Sequence, residues 1–250
     1  MKLKRIFAAV LVAAMLLSFV GCANKDTKGD SSEPAGEQTT EERTTEPQTN
    51  EDGSLVKPKN AVSVSDDVKI KTYSGTSLIE IGNRVMEPYG NAYKNMKAYA
   101  DALNRLKAEM PNTKAYCLMA PTAIEFYAPS KYNTGVSKSQ YEGMCYIYEQ
   151  LKDITPVNAY AEMAAHTDEY LYFRSDHHWT TLGAYYAYRT FAKVAGFTPV
   201  DKNTLQTGKL SPFLGLFYKD TKSTALSNDP DYVEYFIPPV NTTAIASDTD

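Results

Sequence analysis

Between Ala23 and Ser54 the chain has no Val, Ile, Leu, Phe, Met, Trp or Tyr; Thr, Glu, Asp, Ser, Pro, Gln, Gly and Lys dominate instead. A stretch with no apolar side chain to bury cannot offset the entropy of ordering its backbone, so no core can form there. Residues 23–61 are therefore expected to be a disordered acidic tether. Any globular body must be built from residues 62–250, about 190 residues, enough for one domain with its own core.

The segment before the tether is of the opposite kind. Lys2, Lys4 and Arg5 precede an apolar run from Ile6 to Val20 that ends at Gly21 and Cys22. A short basic start, a brief apolar run and a small-residue end form an export signal, shorter than the roughly 20 residues needed to span a bilayer. The ending Phe19-Val20-Gly21-Cys22 resembles the bacterial lipobox, with Phe19 where Leu is usual. Residues 1–22 are thus expected to be a lipoprotein signal peptide. Cleavage would leave Cys22 lipid-bearing on the membrane and the body in the cell envelope outside the cytoplasm. The alternative is an uncleaved signal anchor.

The formal net charge is -4 and no basic run lies outside the signal, which argues against nucleic acid as partner and fits a neutral polymer better. Of three cysteines, Cys117 and Cys145 remain for the body. They could pair in an exported protein, but Cys117 lies in an apolar run where a free buried thiol is ordinary.

Within the body, Asn91 to Met110 places Met96, Tyr99, Ala100, Leu103 and Leu106 at helical spacing, and Pro111 stops the pattern. Ala115 to Ala120 follows as a short apolar strand ending at Pro121, and Tyr141 to Leu151 reads as a second helix. Thr155 to Tyr160 and Tyr170 to Phe173 read as extended. Leu182 to Ala195 reads as a helix, with Thr180 or Thr181 as N-cap and Gly196 as C-terminal stop. Ser211 to Tyr218 reads as a loop packing aromatic rings, and Tyr232 to Ile237 as a strand. The alternation implies an α/β domain, in which ligands collect at loops following strand ends.

One such loop, RSDHHWTT, holds two of the three histidines and the only tryptophan. Asp176 and His178 have the spacing at which a carboxylate on a loop can fix one imidazole nitrogen and leave the other to take a proton. Asp, His and His are also metal-ligand types, but no HExxH or paired CxxC completes a set. The bland reading is a polar helix entry in which Asp176 caps and Trp179 packs. Spacing alone leaves all three open.

The longer stretch YLYFRSDHHWTTLGAY, Tyr170 to Tyr185, resembles the signature of the bacterial DHHW protein family, together with CLMAPTAIEFYAP and FLGLFY. That family is similar to the SGNH-hydrolase-like domains of alginate O-acetyltransferases. The resemblance implies a flavodoxin-like, three-layer α/β sandwich, and a full-length form that moves or removes acetyl groups on exported polysaccharide. It implies Asp176 as the orienting aspartate and His178 as the general base, with Trp179 packing the loop and His177 a lesser substrate contact. No metal and no organic cofactor are implied. The expected nucleophile, a serine in an Asp-Ser turn downstream, is missing: Ser211, Ser223, Ser227 and Ser247 occur after Trp179, but no Asp-Ser pair does. The expectation is a C-terminally incomplete domain with little turnover, or a natural short form that binds glycan without catalysis. The 19 tyrosines allow carbohydrate stacking, Tyr127 among the candidates, although Tyr185, Tyr188 and Ala192 share a helical stripe expected to face the core.

Overall fold

The structure is a computed structural model, and it describes residues 64–90, 92–129, 132 and 137–240. The signal peptide, Cys22, the tether and Ser247 lie outside the described residues.

The described chain is a mixed α/β domain. It opens with an antiparallel meander that the sequence reading did not anticipate: β1 (Ile70–Thr72), β2 (Ile79–Ile81) and β3 (Arg84–Met86), with Ile79 opposite Met86. Gly82, at a φ of 61°, makes the two-residue turn between β2 and β3. Next come helix α1 (Tyr93–Glu109), strand β4 (Ala115–Met119), the short helix α2 (Ala123–Tyr127), helix α3 (Gln140–Gln150) and strand β5 (Ile154–Asn158). β4 and β5 pair in parallel, Cys117 opposite Pro156, which is the crossover arrangement expected of α/β units. A further short helix, α4 (Tyr160–Ala164), begins where an extended run was expected to end.

Helices cover both faces of the β4–β5 pair. On one side Met96 and Ala100 of α1 and Ile147 of α3 form an apolar cluster with Met119 packed against it. On the other, the Tyr116 ring meets Phe191 edge-on, 5.4 Å between centroids, from helix α5 (Thr181–Ala195). The predicted stripe of α1 is only half used: Met96 and Ala100 are buried, whereas Tyr99 and Leu106 are exposed. Those two overhang a groove of ≈ 210 Å³ lined by the consecutive residues Ala115, Tyr116, Cys117 and Leu118. Successive strand residues point to opposite faces, so four in a row along one groove means that β4 presents its edge there.

Helix α5 is capped as read from the sequence: the Thr180 hydroxyl accepts from the Gly183 N–H, and Gly196 closes the helix in the left-handed conformation. Its core face is only partly the predicted one. Ala192 is buried and Tyr185 packs half-buried on the main apolar cluster, but the centre of the face is Tyr186, Ala187 and Thr190; the Tyr185 and Tyr188 hydroxyls bind the backbone of Val200 and Lys202. A three-residue step marks a stripe but leaves its centre undetermined by one position.

Tyr170 to Phe173, read as extended, carries one β-bridge between Tyr172 and Trp179. One further expectation is corrected. Ser211 to Tyr218 is not a loop: strand β6 (Gln206–Phe213) runs through Ser211 and Pro212, and helix α6 (Leu216–Thr221) follows. β6 pairs antiparallel with β7 (Asp231–Ile237), and a register shift between Leu210 and Phe213 accommodates the proline in a solvent-exposed ribbon. Without a buried face β6 has no apolar alternation to read. Helix α7 (Thr224–Asn228) links the two and is capped by Ser223. Cys117 and Cys145 are both free thiols.

Candidate functional site

The Arg174–Thr180 loop is fixed from three directions. At its base, the Phe173 N–H donates to the His178 carbonyl and the Thr180 N–H to the Leu171 carbonyl. From the meander, Arg84 donates to the carbonyls of Tyr172 and Phe173, and the Val85 N–H donates to that of Arg174. From the C-terminal ribbon comes Asp231, 1% exposed, the acceptor of a set of donors from the loop. Its Oδ2 receives the Arg174 N–H (2.9 Å), the Ser175 N–H (2.7 Å) and the Ser175 hydroxyl (2.6 Å), and its Oδ1 receives Arg174 Nε (3.0 Å) and the Tyr170 hydroxyl. A buried carboxylate is tolerated when its lone pairs are used in this way.

On this frame Asp176 and His178 meet. His178 Nδ1 lies 2.6 Å from Asp176 Oδ1, and the His178 backbone N–H donates to the same oxygen at 3.0 Å. The other carboxylate oxygen, Oδ2, receives the Leu216 N–H at 3.0 Å. Burial by itself would raise the Asp176 pKa, but the Leu216 and His178 amides, then the His178 ring, more than offset it and hold the carboxyl below its usual range. Asp176 is thus an anion at neutral pH. The His178 side chain is 64% exposed, so the ring is tied at one nitrogen and open to solvent elsewhere.

His177 joins the pair from the side. Its ring lies 3.9 Å from that of His178, its Nδ1 is 3.8 Å from Asp176 Oδ1, and it lines a cleft of ≈ 240 Å³ with Glu87, Tyr89, Thr122 and Phe217. Asp176, His177 and His178 each offer a donor atom within 4.8 Å of the others, so a cation could be met by them. Both Asp176 oxygens already accept N–H groups, however, and His178 Nδ1 could bind a cation only by giving up its Asp176 contact.

The remaining candidates sit elsewhere. Trp179 is half-buried against the main apolar cluster and bridges Tyr172. Tyr127 packs on Tyr172 and lies under the Arg84 guanidinium at 4.2 Å, and burial pushes its hydroxyl pKa up to about 12. Their contacts are with the core rather than with the cleft beside His177. The described serines after Trp179 have other engagements or none with the pair: Ser223 caps α7, Ser227 bonds the Thr224 carbonyl, and Ser211 is exposed in β6. Sequence reasoning missed Asp231, Arg84 and the Gly215–Leu216 step. Only FLGLFY, a glycine among large apolar residues, hinted that a backbone must pass close to something there.

A family model for the DHHW protein matches residues 46–248. The chain belongs to the DHHW family. Among solved structures, this DHHW chain is similar to a DHHW family protein from Eubacterium siraeum, with 31% identity over 68% of this chain and 57% of that one and a TM-score of 0.62. The chain therefore spans somewhat over half the length of that relative. Weaker likenesses are to Bacillus cereus PatB1 bearing a sulfonyl adduct (16% identity, 70% of this chain and 58% of that one, TM-score 0.46) and to the O-acetyltransferase domain of Pseudomonas putida AlgJ (16%, 69% and 66%, 0.44). No curated protein matches the chain.

Proposed function

We propose that this chain carries the acid–base half of a site for ester chemistry, acetyl transfer or ester hydrolysis, on an exported polysaccharide. The observation that carries the reading is the Asp176–His178 pair: a depressed carboxylate 2.6 Å from Nδ1 of a ring whose side chain is 64% exposed. In this reading Nδ1 keeps its proton, bonded to Asp176, and Nε2 is the base. Nε2 takes the proton of an attacking hydroxyl as the new C–O bond forms at the acyl carbon, then returns it to the departing alkoxide oxygen. His177 and the neighbouring cleft would contact substrate, and the fold would be a flavodoxin-like, SGNH-hydrolase-like three-layer sandwich. The export signal and Cys22 support an envelope location with a lipid tether to the membrane, and the charge balance supports a polysaccharide rather than nucleic acid.

A second reading is a noncatalytic glycan-binding lipoprotein using the same cleft. It is favoured by the serines: among the described residues none donates to His178. One experiment separates the two. Acetate release from p-nitrophenyl acetate and from an O-acetylated polysaccharide is measured with glycan affinity, for the wild type and His178→Ala. A rate that falls at least about 100-fold in the variant supports the base. No rate in either protein, nor in either one extended to the next in-frame stop, with an altered affinity in the variant, leaves the binding module.

A further inference from the structure

We propose that Gly215 and the Leu216 amide are positioning residues that select the tautomer of His178. They do so by locking the Asp176 carboxylate from behind. This rests on reading Asp176 and His178 as a functional pair.

A base at Nε2 requires the ring proton on Nδ1, and a neutral histidine does not hold it there without an acceptor in the ring plane. The acceptor is Asp176 Oδ1, but a carboxylate turns easily about its last side-chain bond. What prevents rotation is the other oxygen. Oδ2 is held by the Leu216 N–H at 3.0 Å, and the Gly215 backbone closes over the same group. A Cβ on residue 215 would fall 2.4 Å from Asp176 Cβ, 2.4 Å from Oδ2 and 2.8 Å from Cγ. Contacts under 3.0 Å to three atoms of one side chain mean that the carboxylate would have to move.

Gly215 has φ -86° and ψ -162°, a conformation open to any residue. Its lack of a side chain is therefore needed for space beside Asp176, not for the turn. The approach is itself anchored: the Gly215 N–H donates to the Ser175 hydroxyl at 3.0 Å, which in turn donates to Asp231. One connected set of hydrogen bonds thus runs from the buried Asp231 through Ser175 to the strip of backbone that backs the carboxylate.

Two variants test this. Gly215→Ala inserts the Cβ. Leu216→Pro removes the amide donor and sets the ring Cδ where its hydrogen pointed at Oδ2, so the carboxylate loses its hold and must turn away, while the local backbone tolerates the change: residue 216 is the first helical position, which accepts proline, the extended Gly215 suits a following proline, and the Leu216 side chain is exposed. Two-bond proton–nitrogen NMR of the imidazoles reports which nitrogen carries the proton. His166, whose Nδ1 has its own carboxylate partner in Glu169 at 2.7 Å, is the internal control, and Ile147→Ala in the α1–α3 cluster controls for general destabilisation.

The wild type is expected to hold His178 mainly as the Nδ1–H form. Both variants should lower its Nδ1–H to Nε2–H ratio by about tenfold, the scale of one charge-assisted hydrogen bond, with His166 and the Ile147→Ala protein unchanged. If both variants keep the wild-type ratio while Asp176→Asn loses it, the positioning role is overturned and the pair stands. If the wild type itself shows no Nδ1–H preference, or Asp176→Asn leaves it unchanged, the pair is overturned and this inference with it.

Discussion

The chain contains two histidine–carboxylate pairs of nearly the same length, and they are used differently. His166 Nδ1 sits 2.7 Å from Glu169 Oε1, and His178 Nδ1 sits 2.6 Å from Asp176 Oδ1. Around His166 the neighbourhood is filled. The ring stacks on Tyr186 at 3.8 Å, Nε2 faces Glu162 at 3.7 Å, and the Tyr186 hydroxyl donates to the same Glu169 oxygen. Around His178 one nitrogen is held by Asp176 and the His177 ring lies alongside, while the rest faces solvent. A contact distance therefore says little about purpose, and what faces the second nitrogen decides it. The first pair ties α4 to α5 through side chains at the end of the core, while the second borrows its rigidity from backbone amides and a distant aspartate.

The comparison can be broken most forcefully at its support. Asp231→Ala removes the acceptor of the loop's buried donors and leaves Arg174 without its inner partner, so a loss of about 3–5 kcal/mol is expected in urea unfolding. A loss under about 1 kcal/mol would mean that the loop is held without it. His166→Ala is expected to cost about 2 kcal/mol, from the lost Tyr186 stack and a carboxylate deprived of a donor. If it costs nothing, the two pairs are equally dispensable to the fold and the contrast fails.

Acid sharpens the contrast next. Burial pulls the Glu162 and Glu169 pKa values up, but the His166 ring with the charges of Arg189 and Lys193 brings Glu162, and the Tyr186 hydroxyl with the His166 ring and Lys202 brings Glu169, below the usual value of 4.5; Asp176 lies below 3.8 for the reasons given. Folded values below unfolded ones mean that these groups contribute stability fully above those ordinary values. That stability is lost as pH falls through the lower folded ones. Thermal stability should thus hold from pH 7 to about 5 and then fall, and Glu169→Gln should flatten the fall more than His178→Ala does. The smallest effect is that of His178→Ala itself, expected within about 0.5 kcal/mol of wild type because the ring is mostly in water. A large loss there would make His178 a structural residue like His166.

Much of the secondary structure was legible because it rests on local rules. The α1 period, the Thr180 cap, the Gly196 stop and the apolar β4 all depend on residues within one turn or strand of each other. The β1–β3 meander and β6 were not legible: the first consists of three-residue strands and the second has almost no buried face. The same division runs through the site. Asp176 and His178 are two residues apart and could be paired on paper, and the family resemblance pointed to the same two. Asp231 and Gly215 act from across the fold, and no spacing rule links them to the loop. Tyr127 followed an apolar strand and looked available, yet the Arg84 cation that covers it comes from a hairpin the pattern did not show.

The Asp231 anchor also sets an order of events in the life of the chain. The acceptor that holds Ser175 is 56 residues further along. During synthesis the two histidines leave the ribosome well before it, and closing so long a loop is a late, slow step compared with forming α5. A nascent chain halted before β7 would display both histidines while the loop lacks its fastening. Competence of this loop is a property gained only once β7 has been made.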